Sequence, residues 1–236
     1  MDLQLNGRRA IVTGGSKGIG LATARVLAAE GARVAIVARG AEALAAAAAG
    51  TGGLAVPADT GSTESVTAMV ASVVEAFGGV DILVNAAASV NQGGFGEDTL
   101  EEQLNVKVRG YLRTARAVAP LMAEQGWGRI INVSGLAARH TGSVVGSVRN
   151  VAVAALTKNL ADELGPAGIN VTVVHPGPTI TERQPPAAAV EQVSIGRAIT
   201  AAEVADVIAF LASPRSVSIN GDAIAVGGGA RGAIHY

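Results

Sequence analysis

At 236 residues the chain has the length of one large α/β domain, which can bury roughly three quarters of the surface its unfolded form exposes. Hydrophobic residues make up 49% and charged residues 16%, with a net charge of −1 and a pI near 6.3, so no basic excess is present to hold a nucleic-acid backbone. Cysteine is absent, which excludes disulfides, thiol nucleophiles and thiolate metal sites together, and no metal is expected.

The first nine residues lead directly into a strand and lack the charged-then-apolar layout of a signal peptide. No apolar run approaches the ~20 residues needed to cross a bilayer, so a cytoplasmic protein without membrane contact is expected. From there, short β-type runs alternate with longer helical stretches. Strand Ala10 to Thr13 precedes helix Gly18 to Glu30, and strand Arg33 to Ala38 precedes the alanine-rich helix Ala41 to Ala49. Strand Leu54 to Pro57, helix Ser62 to Phe77, strand Asp81 to Asn85 and a long helix Leu100 to Gln125 follow. Strand Arg129 to Ser134, helix Val148 to Leu164, strand Asn170 to His175, helix Ala201 to Leu211 and strand Ala223 to Val226 complete the series.

Strands such as Ile130-Ile131-Asn132-Val133 are too apolar for a sheet with a wet face. The repeated β-α pattern therefore predicts a doubly wound, seven-stranded parallel sheet of Rossmann-like α/β class, covered by helices on both sides. Gly31 and Gly78 lie just past helix ends, and Gly165-Pro166 stops the longest helix. No linker, repeat or charge block divides the chain, so residues 1–236 are read as a single nucleotide-binding domain. The stretch Thr179 to Ile195, with Pro185-Pro186, breaks periodicity where a lid over a site can lie.

The first strand runs into Thr13-Gly14-Gly15-Ser16-Lys17-Gly18-Ile19-Gly20 and then a helix. Glycines at 14, 18 and 20 permit a tight turn, leave backbone bare for a pyrophosphate, and let helix and strand pack closely, while the helix N-terminus offers N–H groups to the anion. Gly14, Ser16, Lys17, Gly18, Ile19 and Gly20 are the candidates for that contact. The second strand ends Val37-Ala38-Arg39, with no acid to accept from a ribose 2′-hydroxyl. Arg39, helped by Lys17, suits a 2′-phosphate instead, so NADP(H) is preferred over NAD(H).

Further along, Pro57-Ala58-Asp59, the strand end Asp81-Ile82-Leu83-Val84-Asn85-Ala86-Ala87-Ala88, Leu104-Asn105-Val106, Gly128 to Ser134, and His175-Pro176-Gly177-Pro178-Thr179-Ile180-Thr181 appear in that order. With the glycine turn, they resemble the short-chain dehydrogenase/reductase family over essentially the whole chain. The resemblance implies that Asp59 holds the adenine ring, that Asn85, Ala86 and Ala87 line the cofactor, and that Pro176, Gly177, Thr179 and Thr181 form the nicotinamide loop. It also implies a homodimer or homotetramer built on the fourth and fifth helices.

The same resemblance exposes a gap. The family uses a tyrosine for proton transfer, a lysine four residues later that lowers the tyrosine pKa and holds the ribose, and a serine that orients the carbonyl. Here the tyrosine position is Gly146, the lysine position is Asn150, and the serine pair reads Ser134-Gly135. A phenol has a pKa of about 10 and needs a nearby cation to work near neutrality, whereas glycine has nothing to titrate. Asn105 matches the family's helix asparagine, Ser134 can still bond a carbonyl, His140 can titrate near neutrality, and Asn150 can reach a ribose as a neutral partner. Tyr111 and Tyr236 are the only tyrosines. Arg149, one residue from Asn150, is rotated roughly 100° away from it on a helix.

Three readings follow from the sequence: an NADP(H)-dependent carbonyl/alcohol oxidoreductase with a rearranged acid–base site acting on an unknown small molecule; a non-catalytic NADP(H)-binding partner of a catalytically active homologous subunit; and a redox-neutral enzyme on the same fold.

Overall fold

The computed structural model describes residues 1–88 and 97–232. Seven parallel strands form the sheet: β1 (Arg9–Thr13), β2 (Arg33–Ala38), β3 (Leu54–Pro57), β4 (Ile82–Asn85), β5 (Gly128–Val133), β6 (Ile169–Pro176) and a final strand Ala223–Val226. Two short strands, β7 (Thr179–Ile180) and β8 (Ile199–Thr200), pair in parallel outside the sheet, so the last sheet strand is β9. The order is β3-β2-β1-β4-β5-β6-β9, and the direction of succession reverses between β1 and β4. In open parallel sheets the ligand crevice lies at the carboxyl ends of the strands flanking such a switch point.

The strands feed two cores by simple alternation. Val12, Ile82, Val84 and Ile131 point to a cluster completed by Leu27 of α1 (Gly18–Ala29) and Ile208 of α8 (Ala201–Ala212). Ile11, Leu83 and Ile130 point the other way, onto Met69 of α3 (Thr63–Phe77) and Met122 of α5 (Gly110–Glu124). Successive strand side chains face opposite sides, so a sheet covered on both faces is apolar at most positions and buries the few polar ones. All six residues of β5 are buried accordingly. Among the described residues, no helix is long and apolar enough to cross a membrane.

Local chemistry sets the helix ends. Gly78 caps α3 with φ +81°, and Gly31 follows α1 with φ +84°, a left-handed conformation that favours glycine. The alanine-rich segment is a helix, α2 (Ala41–Ala49), as alanine's propensity predicts. Two expectations are revised. The long helix expected over 100–125 runs as α4 (Glu97–Gln103), a π-helical stretch Leu104–Arg109, and α5, so its middle is wound more loosely than an α-helix. The helix expected from Val148 starts four residues earlier, as α6 (Val144–Leu164), because the Ser143 hydroxyl accepts from the Gly146 N–H at 3.1 Å and caps it. Gly146 therefore lies in the first turn of that helix, not ahead of it.

A chain of buried polar side chains fastens the sheet beneath the switch point. Thr114 Oγ1 donates to Asn85 Oδ1 (2.8 Å), Asn85 Nδ2 donates to Asn132 Oδ1 (3.0 Å), and Asn132 Nδ2 donates to Thr157 Oγ1 (2.9 Å). All four residues are fully buried, and this links β4, β5, α5 and α6 through bonds that water cannot replace. Asn132→Leu leaves the Asn85 amide without its acceptor in the core, so a loss of about 2–4 kcal/mol is expected in urea unfolding. An unchanged midpoint would show that the chain of bonds contributes nothing net.

Candidate active site

The turn between β1 and α1 is shaped by what cannot fit in it. A Cβ on Gly14 would lie 2.7 Å from Ala86 O and Ala87 N, and Gly14 holds φ +66°. A Cβ on Gly20 would lie 2.3 Å from Gly14 O. Only hydrogen is tolerated at either place, so bare backbone meets the start of a helix whose first turn has no acidic residue. A pyrophosphate needs such a cradle, and the residues present fit it. The Gly18 N–H donates to Glu182 Oε1 at 2.8 Å. That bond, the larger influence, together with Lys17 and Arg183, holds the Glu182 carboxyl below its ordinary range. An anion of the protein's own thus rests on the helix N-terminus, beside Thr181, whose methyl would lie 3.5 Å from a Cβ at Gly18. Ser16 is half-buried in the turn, Lys17 is exposed at its tip, and Ile19 packs against the core behind it.

The other cofactor candidates gather along the same edge. Arg39 is exposed beyond the end of β2 and forms no ion pair among the described residues. Asp59 is committed to its own loop: its Oδ1 accepts from Gly61 N–H at 2.9 Å, and its backbone N–H donates to Ser65 Oγ. Ala86 N–H donates to Thr13 O, which holds the end of β4 against the glycine turn. Gly177 N–H donates to Val226 O, and a Cβ there would lie 2.7 Å from Gly227 Cα, so the segment after Pro176 is pressed onto the loop after β9. Thr179 Oγ1 donates to Gly177 O at 2.8 Å. The Asn85 side chain is engaged with Thr114 and Asn132 inside the core, which leaves its backbone for a ligand. The lid segment is more ordered than its sequence suggests, with β7, a short helix α7 (Ala187–Glu191) and β8.

At the carboxyl end of β5 the structure brings Ser134 and Asn150 together. Ser134 Oγ donates to Asn150 O at 3.1 Å, and a Cβ on Gly135 would lie 3.0 Å from Asn150 Nδ2. Asn150 is buried, yet its Oδ1 has no hydrogen-bond partner among the described residues. The Gly135 N–H faces His175 Nδ1 at 3.4 Å. His140 lies apart: it is exposed in the loop before α6, and its carbonyl accepts from Ser147 Oγ. Asn105 is turned elsewhere, toward the loop before α3, where its Nδ2 donates to Gly61 O (3.4 Å) and its Oδ1 accepts from Arg113 (2.8 Å). Of the two tyrosines, Tyr111 is buried with its hydroxyl donating to Val133 O, and burial pushes its pKa well above the ordinary phenol range. Tyr236 lies outside the described residues.

What the π-helical stretch turns toward β5 is Lys107, which the sequence reading passed over. It is 4% exposed, and its Nζ donates to Ser134 O at 2.9 Å. The signal was there to find: Lys107 stands four residues before Tyr111, in line with the buried face of α5 that continues through Ala115, Val118 and Met122. A lysine on a core-facing stripe is rarely there for solubility. Arg149, as its offset from Asn150 predicts, faces α4, where its guanidinium donates to Gln103 Oε1; its Nε is buried without a partner. Among the described residues no cluster of three or more His, Asp or Glu side chains could hold a metal ion.

With this geometry established, the chain can be set beside known proteins. A family model described as enoyl-(acyl carrier protein) reductase matches residues 14–231. The short-chain reductase protein NovJ of Streptomyces niveus is 37% identical over 93% of this chain and 92% of its own length. A short-chain dehydrogenase from Burkholderia cenocepacia, solved in complex with NADP, is 39% identical with a TM-score of 0.88, covering 96% of this chain and 98% of that one. An NAD+-bound xylitol dehydrogenase, 28% identical, also gives a TM-score of 0.88 and covers 96% of this chain and 100% of that one. Matches of this identity along nearly the whole length, on the sheet order and glycine turn already described, mean that the chain belongs to the short-chain dehydrogenase/reductase family.

Proposed function

We propose that the protein is an NADP(H)-dependent oxidoreductase that interconverts a carbonyl and an alcohol on a small molecule, with an acid–base arrangement different from the tyrosine–lysine pair of its family. The observation that carries this reading is the cradle at Gly14 and Gly20 together with the nicotinamide-side segment Pro176 to Thr181, both built to the close backbone contacts that a dinucleotide needs. A protein that only recognised adenine would have no use for the second. Gly14, Ser16, Lys17, Gly18 and Ile19 would hold the pyrophosphate, Asp59, Ala86 and Ala87 the adenosine side, and Asn150, Gly177, Thr179 and Thr181 the nicotinamide side. The bound nicotinamide supplies the hydride. The chain's own groups orient the carbonyl and hold the proton.

The preference for the phosphorylated cofactor rests on Arg39, an exposed cation with no ion-pair partner among the described residues at the end of β2, where an acid would repel a phosphate. The NADP named in the Burkholderia structure agrees with it, while the NAD+ named in the xylitol dehydrogenase marks the alternative. A charge-assisted bond at an exposed site corresponds to about tenfold in affinity. Arg39→Ala is therefore expected to weaken NADPH binding about tenfold in fluorescence titration and to leave NADH unchanged. Equal binding of both cofactors by the parent protein would remove the argument.

A second reading, a cofactor-binding subunit without chemistry of its own, draws on the presence of Gly146 and Asn150 where the family has its tyrosine and lysine. It predicts tight NADPH binding with no hydride transfer to any carbonyl.

A further inference from the structure

Once the tyrosine is gone, the carboxyl end of β5 still needs a group that can carry a proton, and the candidates narrow quickly. Tyr111 is locked to Val133 O in the core. Ser134 Oγ is spent on Asn150 O. His140 is on the outer loop, and Asn105 faces Gly61 and Arg113. Lys107 is different. Its ammonium has three N–H bonds and makes a single hydrogen bond, to Ser134 O, so two protons have no acceptor among the described residues. Beside it stand a buried acceptor without a donor, Asn150 Oδ1, and a buried donor without an acceptor, Arg149 Nε. Buried polar atoms are nearly always paired, and this many unmet bonds in one place point to a polar guest. The site's helical wall carries the π-helical winding often found where a helix presents a functional group.

We propose that Lys107 is the proton donor of this site, delivering an N–H proton to the oxygen of a carbonyl substrate as hydride arrives at its carbon. This rests on the oxidoreductase reading given above. In the reduction, the bound cofactor would supply the hydride and its electron pair for the new C–H bond, and the carbonyl π pair would move onto oxygen. That oxygen takes the proton as the Lys107 N–H bond breaks, leaving an alcohol, an oxidised cofactor and a neutral amine that regains a proton from water.

The surroundings suit the role. Burial, with the like charge of Arg149 on α6 as a second cause, brings the Lys107 pKa down to about 7. The other titratable groups at this end are Tyr111 on the same helix and His175 on β6, and no carboxylate contributes to the shift. A general acid works best with a pKa near the operating pH. The donating form is lost as pH rises through about 7, so carbonyl reduction is expected to fall above that value, and alcohol oxidation, which needs the neutral amine, to rise.

The test combines a titration with single-turnover kinetics. The chain has only three lysines, so 15N-lysine NMR of the NADPH-loaded protein can follow each amine. One resonance, missing in Lys107→Met, is expected to titrate near 7. In stopped flow against a panel of aldehydes and ketones, Lys107→Met is expected to transfer hydride at least 100-fold more slowly with NADPH affinity within twofold of the parent. Lys107→Arg keeps the charge without the titration, so it is expected to be slow and to lose the break near pH 7. A Lys107 amine titrating in the ordinary range, or a Lys107→Met protein as fast as the parent, overturns the proposal. A parent that binds NADPH yet reduces nothing in the panel overturns it while the cofactor reading stands, and a parent that does not bind NADPH removes both.

Discussion

Gly20→Val is expected to abolish practical cofactor binding, with NADPH affinity falling at least 100-fold while the protein remains folded. A β-carbon at this position would sit 2.3 Å from the carbonyl oxygen of Gly14, far inside contact distance, and the neighbour is backbone that has no rotamer to yield. The turn must open to admit valine, and opening it moves the first N–H groups of α1 away from the position where a pyrophosphate would meet them. Losing two charge-assisted hydrogen bonds of this kind costs about 3 kcal/mol, which is about 100-fold in affinity. The two cores lie below the turn and keep Val12, Leu27 and Ile208 in place, so far-ultraviolet circular dichroism should be retained. Isothermal titration with NADPH reads the loss directly. Binding at parental strength would mean that the cofactor does not use this cradle, and the function proposed above would go with it.

The fold and the cofactor edge were legible in the sequence because each depends on features local in the chain. Seven apolar runs separated by helical lengths fix a parallel sheet, since a parallel pair needs a crossover and strands buried on both faces read as near-continuous apolar runs. The glycine turn could be read from spacing alone because the steric demand arises within a few residues. What was not legible depended on a change of helical winding. In the π-helical stretch the Asn105 side chain turns to Gly61 and Arg113, and Lys107, two residues on, stands beside Ser134. The partners of the Asn85 side chain were hidden for another reason. Motif position put it beside the cofactor, but its side chain answers to Thr114 and Asn132, partners 29 and 47 residues distant that no local pattern reveals. The early start of α6 likewise turns on one cap, Ser143, which a period-based boundary does not see.

Putting the family's pair back into this frame is expected to harm the enzyme, not improve it: Gly146→Tyr with Asn150→Lys should reduce carbonyls at least tenfold more slowly than the parent. Sterics contribute first. A β-carbon at 146 would meet Ser143 Oγ at 3.0 Å and Ala137 Cβ at 3.7 Å, so the residue that caps α6 must move, at a cost of about 1 kcal/mol. Electrostatics contribute more. Position 150 is buried beside Ser134 and Gly135, within reach of Lys107 and Arg149, and no carboxylate offsets those two cations. A third cation there drives the Lys107 amine further toward its neutral form, which has no proton to give in the reduction. A new phenol would also meet two amines competing to set its pKa. The outcome separates the two readings of this protein. If Lys107 carries the proton, the pair is redundant and the crowded cluster loses rate. If the double variant instead gains 100-fold or more over a parent that binds NADPH, the region around Gly146 was vacant in the chemical sense, and the protein is a cofactor-binding subunit whose proton transfer had been lost.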